Sequence, residues 1–218
     1  MPDGFIPPHG GFKNLLSYQK ALIVYDATVH FCNRFFGLRD RTHDQMVQAA
    51  RFGKQNILEG SIASGTSKET EIKLTNVARS SLGELLEDYQ DFLRTRGFEE
   101  WTKDHRYAKR PRSLNRQPAA NYETFRKGIE HPDPAICANV ILGVVKVTNY
   151  LLDQQLRRLE KDFLKDGGFR ERMTRARLTA RASQADQHSQ KVARRQSSCS
   201  GLTCNMYFGR VPFVLFVP

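Results

Sequence analysis

Two helix-length patterns separated by only a few Gly and Ser residues restrict residues 42–93 to a helical hairpin. Thr42-His-Asp-Gln45 and Thr66-Ser-Lys-Glu69 both match the capping box, in which a hydroxyl accepts from an orphan backbone N–H and the fourth side chain reaches back. The first helix carries an apolar stripe of Met46, Ala49, Ala50 and Ile57; the second carries Leu74, Ala78, Ser81, Leu85, Tyr89 and Phe92. At a rise of about 1.5 Å per residue, the second helix, Ser67 to Thr95, is about 40 Å long. Asn56, Glu59 and Gly60 stand at the junction. Ser81 on an inward stripe needs a hydrogen-bond partner, and Asn56 or Glu59 is expected to supply it.

Helices are expected on either side of this hairpin. Ahead of it, Leu15, Tyr18, Leu22, Tyr25, Val29, Cys32 and Phe36 recur at steps of three and four, the spacing of a bundle seam. A second stripe, Leu16, Ile23, Ala27, Phe31 and Phe35, runs beside it. After it, the pattern breaks at Gly97 and resumes with Asp133 as N-cap and Pro134 at the first helical position. That helix runs to about Leu164, and its middle, Val140 to Leu152, is apolar on nearly every side, which calls for burial all round.

Each amphipathic stripe must be buried against another element, so the expected fold is all-α, an antiparallel up-down four-helix bundle. The 218 residues suffice for a substantial core. The expected organisation is a flexible lead over 1–11, a bundle over 12–164 interrupted by a basic loop at 101–127, a basic extension over 165–195 and a disordered tail over 196–218. Past Gly167-Gly168 a short basic helix is expected, with Phe169, Met173 and Ala180 as a weak apolar edge. The closing Val211-Pro-Phe-Val-Leu-Phe-Val-Pro fits no earlier pattern; a docking strand is one reading. The surplus apolar surface of the first and last helices either thickens a monomeric core or points to a homo-oligomer.

The formal charge of +11 is not spread evenly. Residues 101–127 carry a net +6 and residues 165–195 another +6, which leaves the bundle close to neutral. Clustered cations release counterions on meeting a phosphate backbone, so the segregation points to RNA or DNA, without sequence specificity. Candidate phosphate contacts are Arg106, Lys109, Arg110, Arg112, Arg116, Arg126 and Lys127 in the first cluster, and Arg170, Arg172, Arg175, Arg177 and Arg181 in the second. Trp101, Tyr107, Tyr122 and Phe125 are interleaved with the first, as base stacking on single strands would require. The alternatives are a solvated loop and tail pinned by those aromatics, an anionic lipid surface, or a protein-interaction module that docks an acidic partner.

No catalytic constellation is legible. Gly60-x-x-x-x-Gly65 lacks the following Lys-Ser/Thr of a phosphate-binding loop and follows a helix rather than a strand. Glu84, Asp88 and Asp91 form an acidic strip with no Glu-x-x-His pair to make a metal site, and Cys199-x4-Cys204 with His188 is too loose for zinc. The expectation is therefore a non-enzyme without cofactor. The four cysteines show no disulfide framework, the N-terminus shows no secretory signal, and no window reads as a membrane span. A cytoplasmic protein that does not enter the membrane is the expectation.

At Asn56-Ile-Leu-Glu-Gly60, Ser67-Lys-Glu69 and Ala78-Arg-Ser-Ser-Leu-Gly-Glu-Leu85 the chain resembles the bacterial four-helix bundle proteins encoded by intervening sequences of 23S rRNA genes. The similarity covers about Phe12–Arg96 and Asp133–Leu164. The family includes the accessory variability determinants of diversity-generating retroelements. The resemblance therefore implies a homo-oligomer, a ring-like pentamer, with a basic surface for RNA or DNA and a reverse transcriptase as partner. The long basic insertion and the C-terminal continuation place the chain nearest the subgroup with a C-terminal suffix. Asn56, Glu59, Gly60, Ser81 and Glu84 occupy signature positions, read as a structural network that sets helix register.

Overall fold

The structure, a computed structural model, describes residues 9–37, 39–117 and 119–200, and the side chains of all these except 166 and 195–200. Most of the N-terminal lead, Cys204 and the Val211–Pro218 run lie outside the described residues, as do the side chain of Cys199 and most of the expected tail. The chain divides into two compact units, Met1–Arg170 and Glu171–Pro218. Among the described residues all regular structure is helical.

In the first unit, a 3-10 turn (Phe12–Asn14) leads into α1 (Leu16–Phe35), α2 (Arg41–Ala63), α3 (Lys68–Thr95), α4 (Lys109–Asn115), α5 (Tyr122–Ile129) and α6 (Pro134–Asp166). These six helices pack together. The four long ones form a closed circuit in which α2 lies between α1 and α3, and α6 closes the ring against both. The short helices α4 and α5 occupy the stretch expected as a loop, and both pack on α6.

Helix starts differ from expectation in detail. Asp40, not Thr42, caps α2, its carboxylate accepting from the Thr42 N–H at 2.9 Å. Ser67, not Thr66, caps α3 by accepting from the Thr70 N–H at 3.1 Å. A carboxylate is the stronger acceptor at a positive helix end, and the Thr66 hydroxyl is turned back to the Ala63 carbonyl. Asp133 caps α6 with Pro134 in the first turn. Helix α3 ends where Gly97 takes a left-handed φ of 69°, which lets the Phe98 N–H reach the Leu93 carbonyl at 2.9 Å in a Schellman closure.

The buried face of α1 is Ser17, Lys20, Ala21, Ile23, Val24, Ala27, Thr28, Phe31 and Cys32: it takes in Ile23, Ala27 and Phe31 of the second expected stripe and Cys32 of the first, while Leu15, Tyr18, Tyr25 and Val29 are only partly buried and Leu16 and Leu22 are exposed. Polar residues disguised it, and two of the three find partners across the core. The Ser17 hydroxyl donates to Gln155 Oε1 at 2.8 Å, and the Tyr89 hydroxyl donates to Thr28 Oγ1 at 3.1 Å. Lys20 is the third, 4% exposed, with Nζ lacking a hydrogen bond and 5.4 Å from the centre of the Phe125 ring. Burial pushes its amine below the usual lysine range.

The signature residues form no network. Asn56 Nδ2 donates to the Phe52 carbonyl of its own helix at 2.9 Å, Glu59 and Glu84 are exposed, and buried Ser81 bonds neither Asn56 nor Glu59. Gly60 does have a packing role: a Cβ there would touch the Glu71 carbonyl and Leu74 at 3.4 Å, so α2 and α3 approach closely. Gly53, about two turns earlier, sits tighter still against Leu82.

The apolar run in α6 requires a correction. A window of 18 residues in the Pro134–Arg194 stretch has a mean hydropathy of 1.7, enough by length and composition to cross a membrane. More than half of it, 56%, is buried inside the protein, as a core helix would be.

Three substitutions test this packing by urea denaturation. Gly53→Ala would place a Cβ 2.5 Å from the branch point of fully buried Leu82 and is expected to destabilise by about 1–3 kcal/mol; Gly83→Ala, with nothing within 4 Å, is expected to stabilise by up to about 1 kcal/mol. Lys20→Met is expected to stabilise by about 1–3 kcal/mol at neutral pH. The folded-state amine lies below its unfolded value, so the ammonium's burial penalty is complete at low pH and fades as pH rises through the folded value. The advantage of Lys20→Met is therefore expected to shrink towards alkaline pH.

Candidate nucleic-acid interface

Helix α5 explains how the first basic cluster is held. Asn121 and Thr124 form a reciprocal capping box: the Thr124 N–H donates to Asn121 Oδ1 at 3.2 Å and the Asn121 N–H donates to Thr124 Oγ1 at 3.1 Å. From that start Phe125 and Ile129, four residues apart, fall on one face and are buried at 2% and 0% exposure. Gly128 admits the Val140 side chain, which a Cβ would meet at 2.9 Å. Arg126 and Lys127 are left exposed on the other side. The insertion is thus part of the core, and Phe125 serves packing rather than base stacking.

Asn139 and Lys146 of α6 tie the segment between α3 and α4 to that helix. Asn139, 6% exposed, accepts from the Trp101 N–H at 2.8 Å and donates to the Glu99 and Ala135 carbonyls, both at 2.9 Å. Next to it Glu100 takes hydrogen bonds from Lys146 and, at 2.9 Å, from Gln90. Burial alone would raise the Glu100 carboxyl, but those two bonds and the Lys146 charge outweigh it and hold it below the usual carboxylate range.

On this support sit the cations. Arg106, Lys109, Arg110, Arg112, Arg116, Arg126 and Lys127 are all exposed. Arg126 alone of the seven is neutralised, by Glu123 and Glu130, each at 3.1 Å. The other six form no ion pair with a carboxylate among the described residues. Arg112 donates to the Lys103 carbonyl at 3.1 Å, and the Arg106 guanidinium lies 4.3 Å over the centre of the Tyr107 ring. Trp101 stacks on His105 with ring centres 5.2 Å apart, and Tyr107 closes the group at 5.7 Å from Trp101. Tyr107 is 47% exposed, Trp101 and Tyr122 are half-buried.

Between α4 and α5, against α6, lies a cleft of about 550 Å³. Leu114, Phe125, Ile136 and Val140 give it an apolar lining, and Arg106, Arg110 and Lys127 also line it. Trp101 and Pro111 separate it from a second cavity of about 370 Å³.

The second cluster lies on α7 (Phe169–Ser200), which is far longer than the short helix expected. Arg170, Arg175, Arg177 and Arg181 are exposed and Arg172 is half-buried. At 100° per residue Arg177 and Arg181 share a face while Arg175 lies nearly opposite, so the charge wraps the helix. From Arg177 to Arg194 every residue is exposed, including Leu178 at 61%.

Cys32 and Cys137 are free, buried thiols, each pushed up to about 12 chiefly by burial. Among the described residues no three His, Cys, Asp or Glu side chains are grouped to hold a metal ion. Sequence reasoning missed α5 and Asn139; Asn121-x-x-Thr124 followed by the Phe125/Ile129 pair was the available signal for α5.

Asn139→Ala leaves the Trp101 N–H and the Glu99 carbonyl unpaired and is expected to lower stability by about 1–3 kcal/mol and shift Trp101 emission to the red, both read from fluorescence-monitored denaturation. Unchanged stability and emission would show that the pin does not hold the segment. No family model, no curated protein and no solved structure matches this chain.

Proposed function

We propose that the protein is a non-enzymatic nucleic-acid-binding accessory protein that grips the phosphate backbone of RNA or DNA with the cations of the insertion and of α7. The observation that carries this reading is the state of the first cluster. Six exposed cations with no carboxylate partner among the described residues lie on or beside α4 and α5, a layer anchored to the core by buried Phe125 and Ile129 and by partly buried Leu114. Cations already neutralised within the chain would have little left to exchange for phosphate; these retain their charge, and their mounting limits the ordering entropy lost on binding.

The circuit of α1, α2, α3 and α6 is best read as an antiparallel up-down four-helix bundle, as the resemblance to intervening-sequence proteins implies, with α4 and α5 as an inserted flank. Leu16 and Leu22 on α1 and Tyr150 on α6 remain exposed, which favours assembly into a homo-oligomer. A reverse transcriptase is the partner that the resemblance suggests, and the cytoplasm the compartment.

The test is binding of single-stranded RNA, single-stranded DNA and duplex DNA by the full chain across a salt series. Affinity is expected to fall linearly on a log–log plot against salt, and replacing Arg170, Arg172, Arg175, Arg177 and Arg181 together with Gln is expected to flatten that slope. Absent or salt-insensitive binding would refute the reading, and retention of an acidic polypeptide alone would favour the interaction-module alternative.

A further inference from the structure

We infer that the cleft between α4 and α5 takes one unstacked base of a single-stranded nucleic acid, with the adjoining phosphate on Arg106, Arg110 and Lys127. This rests on the nucleic-acid reading above and adds a site and a strand form to it. The volume, about 550 Å³, lies within the roughly 300–1,000 Å³ typical of small-ligand pockets.

The chemistry of the cleft is split. Its apolar lining, Leu114, Phe125, Ile136 and Val140, offers nothing to a charged group, whereas its three cations have no carboxylate partner among the described residues. A ligand that satisfies both has an uncharged planar part joined to an anion, which is the composition of a nucleotide. Glu123 also lines the cleft, but its carboxylate is occupied by Arg126 at 3.1 Å, so it leaves the cationic groups dominant. Tyr107 adds an exposed ring paired with a guanidinium, the arrangement on which bases stack in sequence-tolerant single-strand sites. Bases inside a duplex are already stacked and cannot enter, so the cleft selects single strands.

The chain's single tryptophan, Trp101, lines this cleft, so its emission reports occupancy. The full chain is titrated with adenosine 5′-monophosphate, ribose 5-phosphate, a short single-stranded oligoadenylate and duplex DNA. The mononucleotide and the oligoadenylate are expected to change Trp101 emission saturably, the oligoadenylate at lower concentration, while ribose 5-phosphate does not. Tyr107→Ala is expected to weaken oligoadenylate binding at least about fivefold and leave duplex binding unchanged. Arg110→Gln, a substitution of an exposed side chain, should weaken the mononucleotide response as well. Oligoadenylate binding that leaves Trp101 emission and the Tyr107→Ala affinity unchanged would overturn the cleft assignment and leave the nucleic-acid reading intact. A response to the mononucleotide with no binding of any polymer would overturn both, because the cleft would then serve a free nucleotide.

Discussion

Helix α6 is apolar around most of its circumference from Val140 to Leu152, and a helix of that kind has to be covered on more sides than two neighbours in a bundle can reach. Val140, Ile141, Leu142, Val144, Val145 and Leu152 are all buried at 4% exposure or less. The cover comes from α1 and α3 on two sides and from α4 and α5 on another. That requirement turns the 101–130 stretch from a loop into a structural layer. Phe125 and Ile129 supply its anchor, and the Gly128–Val140 contact sets how closely it can lie. Part of the surplus apolar surface that invited a second copy of the chain is therefore satisfied within one.

The same layer fixes the electrostatics. Anchoring one face of α5 and Leu114 of α4 leaves the remaining faces to solvent, and those faces carry the basic residues. The carboxylates available nearby are largely committed: Glu123 and Glu130 to Arg126, Glu100 to Lys146 and Gln90. Such exposed pairs contribute little stability. Their effect is one of allocation, since they leave six cations of the cluster without a paired carboxylate among the described residues.

The long helices were legible because hydrophobic period and length agree. The stripe of Met46, Ala49, Ala50 and Ile57 is buried as read, and the ends of α3 and α6 fall where Gly97 and Asp133-Pro134 place them. Single-residue chemistry was less legible. Asp40 outcompeted Thr42 because several acceptors stand near one helix start, and the α1 face was read only in part because Ser17, Lys20 and Thr28 look like surface residues until their surroundings are known. The insertion was legible as charge but not as structure, since α4 and α5 have seven and eight residues, too short for a hydrophobic period to show. Helix α7 went the other way: it has no apolar period, and from Arg177 to Arg194 it buries no face. Of the candidate site, the exposure of the cations, Arg172 apart, was legible from their charge, whereas Phe125 alternates with basic residues yet points into the core.

The account depends on the insertion being held by the core rather than resting on it. Native-state hydrogen exchange of the full chain measures this directly, because amides released only by global unfolding share one free energy of opening. The prediction is that the protected amides of α5, Phe125 to Ile129, exchange with the same opening free energy as those of α6 around Val140 to Leu152. Exchange of the α5 amides at rates near those of an unfolded chain, while α6 stays protected, would contradict it.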